Sequence, residues 1–164
     1  MTAAQNKTTA DKSLVGLAGE YHVLAQLAER GHVGALTLGH TKGVDIFGTN
    51  PHSGRVRLVE VKTTRRGPAN QRSFGPSRFY CWPMSVQHES LPANDLVYCF
   101  VMLGQPGETP QFFLVPAPEV AQYVKWQHQH WLKARDGRRD NSMRMFRIEE
   151  HDPKGYRDNW AVFD

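Results

Sequence analysis

Residues 43–47, Gly-Val-Asp-Ile-Phe, and residues 57–64, Arg-Leu-Val-Glu-Val-Lys-Thr-Thr, decide how this chain is read. Side chains on a strand alternate in direction with period two. In the second stretch Glu60 and Lys62 therefore leave from one face while Val59 and Val61 leave from the other. An ammonium is thereby set beside a carboxylate. With residues 44–47 paired as the neighbouring strand, Asp45 approaches Glu60, and the two carboxylates offer hard oxygen donors of the kind Mg²⁺ takes from proteins.

Upstream, Leu14, Leu17, Tyr21, Leu24 and Leu27 or Ala28 recur at helical spacing, which predicts a helix over residues 13–30. Ser13 is placed to cap its start, and Gly31 follows its end. Glu20, three after Leu17 and four before Leu24, falls on or beside the apolar stripe. A carboxylate there needs a partner, because buried charge is costly unless paired or bound to metal. A cation held by Asp45 and Glu60 would be such a partner.

A helical Glu20, then Asp45, then Glu60-x-Lys62 on a strand resembles the PD-(D/E)XK nuclease superfamily, the group of restriction-endonuclease-like and archaeal Holliday-junction-resolvase-like folds. The resemblance covers residues 13–64, with Val44 where the family's name has proline. It implies an α/β (α+β) fold with an αβββαβ core, a central mixed sheet flanked by helices. It also implies a metal-dependent endonuclease using Mg²⁺ or Mn²⁺. In that reading Asp45, Glu60 and the backbone carbonyl of Val61 ligate the ion. Lys62 orients or deprotonates the attacking water and offsets charge on the phosphorane. Glu20 completes a second metal position or hydrogen-bonds a metal-bound water. DNA is the favoured substrate, with RNA the other candidate. So small a chain leaves little room for a separate target-recognition domain, which points to structure-selective or partner-directed cutting, as a homodimer or with partner subunits. The alternative from another class is a catalytically inactive module of this fold that binds nucleic acid or protein.

Composition fits one domain over residues 13–164 preceded by a flexible arm over residues 1–12. A chain of 164 residues can bury a single core, and its 40% hydrophobic and 22% charged residues are those of a globular protein. The longest apolar run, residues 96–103, is far short of a membrane span, and the first twelve residues lack the apolar core of a signal peptide, so a cytoplasmic location is expected. Cys81 and Cys99 form no disulfide framework or zinc pair and read as packing thiols.

A net charge of +4 and a pI near 9.2 favour a polyanionic partner. Arg65, Arg66, Arg72 and Arg78 follow the Lys62 strand, interleaved with Phe74, Phe79, Tyr80 and Trp82. The arginines are expected to contact nucleic-acid phosphates while exposed aromatics stack on unpaired bases. The competing reading puts these aromatics in the core.

Elsewhere, strands are expected over residues 33–38, 44–48 and 55–63 as an antiparallel meander, with residues 50–54 as a hairpin loop. Residues 67–94, punctuated by Pro68, Pro76, Pro83 and Pro92, read as irregular, with a short helix or strand over 84–89. Strands over 96–103 and 111–115 flank a Gly/Pro turn. A helix over 118–134 follows, with Val120, Tyr123, Val124, Gln127 and Trp131 near one face, then a strand over 143–148, and residues 160–163 close the fold. His128 and His130 are expected to be exposed rather than zinc ligands. The sequence carries no phosphate loop, no Gly-x-Gly-x-x-Gly and no Gly-x-Ser-x-Gly elbow.

Overall fold

The computed structural model describes residues 11–38, 43–90 and 95–164. The expected arm lies outside them except for its last two residues, and these already belong to the first helix and its cap. Helix α1 spans Lys12–Glu29, and its cap is Asp11 rather than Ser13: the Asp11 carboxylate accepts the Ser13 backbone N–H. Gly31 follows the helix at φ 77°, a left-handed conformation that glycine takes without strain.

The buried face of α1 is turned from the expected one. Val23 and Leu27 are fully buried, with Gly19 beside them and Val15, Ala18 and Leu24 packed against the same core. Leu14 and Tyr21 stand more than half exposed. Gly19 decides the rotation, because a Cβ there would lie 2.0 Å from Thr63 Oγ1. The helix thus seats its hydrogen-only position on the strand and brings Glu20 to the edge of the contact.

Strands β1 (Val33–Leu36), β2 (Ile46–Thr49) and β3 (Val56–Thr64) form the antiparallel meander expected of them. Then the chain departs from the expected irregular stretch. Residues 69–70 form a short β4 (Ala69–Asn70), and Arg78–Ser85 form an eight-residue strand, β5, followed by a 3-10 turn over Val86–Glu89. Pro83 argues against a strand when the sequence is read alone. It is accommodated because β4 accompanies β5 only through residues 78–79, so further along β5 has a neighbour on one side only and a missing N–H can face the open edge.

Strand β6 (Leu96–Met102) pairs parallel to β3, and β7 (Gln111–Pro116) returns antiparallel beside it. Helix α2 (Ala117–Lys133) and β8 (Met143–Glu149) complete the order, and a 3-10 turn over Trp160–Phe163 packs at the end. Two sheets result, β1-β2-β3-β6-β7 and β4-β5-β8. Where an αβββαβ core carries a helix between its third strand and the parallel one beside it, the described residues of this connection carry β4, β5 and two 3-10 turns.

The larger sheet is covered on both faces, which is why β6 is apolar on both. Val59, Val61, Val97, Cys99, Val101 and Leu114 face α1 and the Trp160–Phe163 turn. Tyr98, Phe100, Phe113 and Val115 face the second sheet and α2, where they meet Trp82 and Phe146. The Phe100 and Phe146 rings stack at 4.4 Å between centroids. Phe79, Tyr80 and Trp82 are buried in this layer, so three of the four aromatics expected to stack on bases are core. Both cysteines are free thiols, Cys99 fully buried. Among the described residues no helix is long and apolar enough to cross a membrane.

Candidate active site

Strand β3 projects Glu60 and Lys62 toward the second sheet, as period two requires, with Tyr98 and Phe100 as their register partners on β6. Asp45 arrives from the turn before β2. Its backbone N–H donates to the Val59 carbonyl at 2.8 Å, and its Oδ2 accepts the Val61 N–H at 2.7 Å. Strand β2 begins only at Ile46, opposite Val59, so this carboxylate takes the next ladder donor of β3 in place of backbone. Gly43 turns the chain at φ 78°, a left-handed conformation that glycine takes without strain, and the place its Cβ would occupy is 3.7 Å from Glu60 Oε2.

Glu60 is buried and ringed by donors. Lys62 Nζ lies 2.5 Å from its Oε1, and His88 Nε2 lies 3.3 Å from the same oxygen. Burial alone would raise the Glu60 pKa. The His88 hydrogen bond, the Lys62 ammonium and the neighbouring Tyr98 hydroxyl outweigh it and hold the carboxyl at about 2. Oε2 accepts no hydrogen bond among the described residues and is the oxygen turned toward Gly43. Tyr98 Oη is buried without a partner of ordinary geometry. Burial, followed by the Glu60 and Asp45 charges, pushes its pKa well above the usual phenol range.

Asp45 and Glu20 are shifted the other way. Burial raises Asp45, with Glu60 adding to it and the Val61 N–H and Lys62 opposing. Burial raises Glu20, and the nearby Asp45 carboxylate adds to it. Three acids thus gather about the middle of β3, two of them short of compensating positive charge. A divalent ion would fit this chemistry, since hard carboxylate oxygens and excess negative charge are what such an ion takes. The side chains do not close into a finished cage. Among the described residues no group of three or more His, Cys, Asp or Glu is arranged to hold a metal ion.

His88 was not legible as a site residue, although Ser85-x-x-His88 follows a capping-box spacing. The Ser85 N–H donates to His88 Nδ1 at 3.0 Å, which holds the ring on its own turn and aims Nε2 at Glu60. The turn carrying it is pinned from below. Arg144, buried on β8, ion-pairs with Glu89 and lies 3.8 Å from Asp140. Asp140 in turn sits 2.7 Å from His128. His128 is therefore buried, not exposed, whereas His130 is exposed as expected.

The basic segment divides. Arg66 and Arg72 are exposed. Arg65 donates to the Gly104 carbonyl, and Arg78 pairs with Glu150 at 3.0 Å and donates to the Pro68 carbonyl.

No family model and no curated protein matches the chain. Among solved structures it is similar to a bacterial homing endonuclease, I-Ssp6803I, at 14% identity over 93% of this chain and 92% of that one, with a TM-score of 0.54. The fold is accordingly a mixed α/β fold of restriction-endonuclease-like architecture, its central mixed sheet flanked by helices.

Proposed function

We propose that the chain is a metal-dependent endonuclease that hydrolyses phosphodiester bonds of nucleic acid, DNA first, in a structure-selective or partner-directed manner. The observation that carries this reading is the convergence of Asp45, Glu60 and Lys62 on β3, with Glu20, whose pKa is raised by burial and then by the Asp45 charge, beside them. The likeness to a homing endonuclease supports it at the level of fold.

In this reading Asp45 and Glu60 Oε2, with the Val61 carbonyl, hold Mg²⁺ or Mn²⁺, and Glu20 serves a second position or a water bound there. When bound, the ion supplies Lewis-acid polarisation of the phosphate and a more acidic water. Lys62 orients the attacking water and stabilises charge gathering on the phosphoryl oxygens, the kind of electrostatic contribution worth about 10²-fold or more in rate. His88 and Lys62 together fix Oε1 and so leave Oε2 as the open donor.

One observation favours a second reading, a non-catalytic module of the same fold that binds nucleic acid or protein. The Glu60 charge is already met by Lys62 and His88, and the acids form no ready three-ligand group among the described residues. The deciding experiment incubates the protein with duplex, single-stranded, flapped and four-way-junction DNA in Mg²⁺, Mn²⁺ or chelator. Cleavage that needs the ion and disappears in Lys62→Ala and in folded Asp45→Asn supports the enzyme. DNA binding with no cleavage under any of these conditions supports the module.

A further inference from the structure

Tyr98 stands on β6 as the register partner of Glu60 on β3. Its side chain is wholly buried, stacked on Phe100 at 5.7 Å between ring centroids and met edge-on by His88 at 6.0 Å. The hydroxyl is closed to solvent and, among the described residues, hydrogen-bonded to nothing. A buried donor left unmade costs stability, and a phenylalanine would fill the same ring position without that cost. The polar group beside this hydroxyl is the Glu60 carboxylate.

The contacts of Glu60 explain why the hydroxyl is left over. A carboxylate oxygen offers about two lone-pair sites. On Oε1 these are taken by Lys62 Nζ at 2.5 Å and His88 Nε2 at 3.3 Å, while Oε2 is turned toward Gly43. Lys62 carries two duties, however. It is the counter-charge of Glu60, and in the reading above it is also the cation that meets the water and the phosphoryl oxygens. The Lys62 side chain is 28% exposed against 8% for Glu60, so of the two it is Lys62 that can turn outward. An ammonium drawn to the phosphoryl group lets go of Oε1, and that buried oxygen then lacks a charge-assisted hydrogen bond.

We propose that Tyr98 is a positioning residue that takes the place of Lys62 on Glu60 when Lys62 turns to the substrate. Its hydroxyl donates to the oxygen that the ammonium leaves, so the carboxylate keeps its orientation while the cation serves the phosphoryl group. No backbone movement is required. Ring and carboxylate already stand side by side on hydrogen-bonded strands, and rotation of the carboxylate and of the O–H brings them together. A phenol suits this duty better than a second base would: it supplies a hydrogen bond without a positive charge, and so does not oppose a cation at Oε2. The inference rests on the nuclease reading above, which is what gives Lys62 its second duty.

A double-mutant cycle in chelator tests this without reference to activity. Urea unfolding is measured for wild type, Tyr98→Phe, Lys62→Met and the two together, methionine keeping most of the lysine stem. With Lys62 present, Tyr98→Phe should leave the folding constant unchanged or raise it, because the hydroxyl removed has no partner. In the Lys62→Met background the same substitution should lower the folding constant about tenfold, the scale of a hydrogen bond to a buried charge. Should Lys62→Met not fold, Lys62→Gln takes its place in the cycle, and the Tyr98 Cζ resonance should shift from its wild-type position as the hydroxyl gains an acceptor. Equal effects of Tyr98→Phe in the two backgrounds overturn the proposal, as does a tenfold loss in the wild-type background, which would show the hydroxyl already bonded. In Mg²⁺, Tyr98→Phe should lower kcat for DNA cleavage about tenfold with KM unchanged, and a variant that cleaves as fast as wild type also overturns it. The two readings fail separately. A wild type that cleaves no DNA yet shows the coupling keeps Tyr98 as the replacement donor and loses the nuclease reading, whereas cleavage with an additive cycle removes the role of Tyr98 alone.

Discussion

His88 and Glu60, 28 residues apart in sequence, meet with His88 Nε2 3.3 Å from Glu60 Oε1. The pairing links the β3 strand to a turn that the smaller sheet holds in place through Arg144 and Glu89. It also makes the protonation of Glu60 a reporter of how the two sheets sit on each other.

Removing the imidazole should therefore raise the Glu60 pKa from about 2 toward its ordinary 4.5. In carboxyl-carbon NMR titrations His88→Ala should show this rise, with a stability loss of about 1–3 kcal/mol from taking away a hydrogen bond to a buried charge. His88→Gln, which can keep a donor, should recover part of both. Arg144→Met should move the same resonance without touching Glu60 directly, and an unmoved resonance would argue that the turn is positioned by something else.

The acid limb of stability should carry the same signature. Glu60 is depressed in the folded state, about 2 against 4.5, so its stabilisation is complete above pH 4.5 and is lost as pH falls from there toward 2. The amount is on the order of 3 kcal/mol by linkage. Glu20 and Asp45, raised by burial, act in the opposite sense: their ionised forms are penalised in the folded state, and acidification relieves them. In chelator, wild type should lose melting temperature below pH 4.5 more steeply than Glu60→Gln. Parallel curves would contradict the depressed carboxyl.

Asp45→Asn should separate stability from activity. The amide keeps an oxygen for the Val61 N–H but removes a desolvated charge beside Glu20 and Glu60. Melting temperature in chelator should hold or rise, while under the proposed metal site any increase in melting temperature on adding Mn²⁺ should disappear together with any cleavage. A variant that unfolds at ordinary temperature would show Asp45 to be chiefly a structural strand cap.

Gly19→Ala should cost about 1–3 kcal/mol through overpacking, since its Cβ would meet Thr63 Oγ1 at 2.0 Å and the Thr63 Cβ at 3.0 Å. Thr63→Ala in the same chain should restore only part of the loss, because the Cβ of residue 63 remains in the way. Thermal melts of the two single variants and the double variant check this; strict additivity would mean that the helix is not seated through this pair.

DNA affinity should depend most on the exposed arginines. Neutralising Arg66 and Arg72 should weaken binding and lower the slope of log affinity against log salt by roughly one for each phosphate left without its cation. Arg78→Ala should change the slope less, since Arg78 is already paired with Glu150. A salt slope unmoved by all three would make this segment ordinary surface.

Whatever depends on local periodicity could be read from the chain alone. Alternation in residues 57–64 put Glu60 and Lys62 on one face, and the glycine turn before Asp45 set that carboxylate beside them, because strand direction follows from backbone geometry. Whatever depends on which surfaces meet required the folded molecule. The stripe through Leu14, Leu17 and Tyr21 is as periodic as the one through Gly19, Val23 and Leu27, and only close approach to Thr63 selects the second. Strand β5 was hidden by Pro83, whose tolerance depends on an edge that exists only because β4 stops short. His88 is one histidine among eight, and its spacing from Ser85 marks a turn, not a meeting with Glu60. It becomes part of the site because Arg144 and Glu89 fix its turn against Glu60 across the sheets, a meeting of residues distant in sequence that no periodicity encodes.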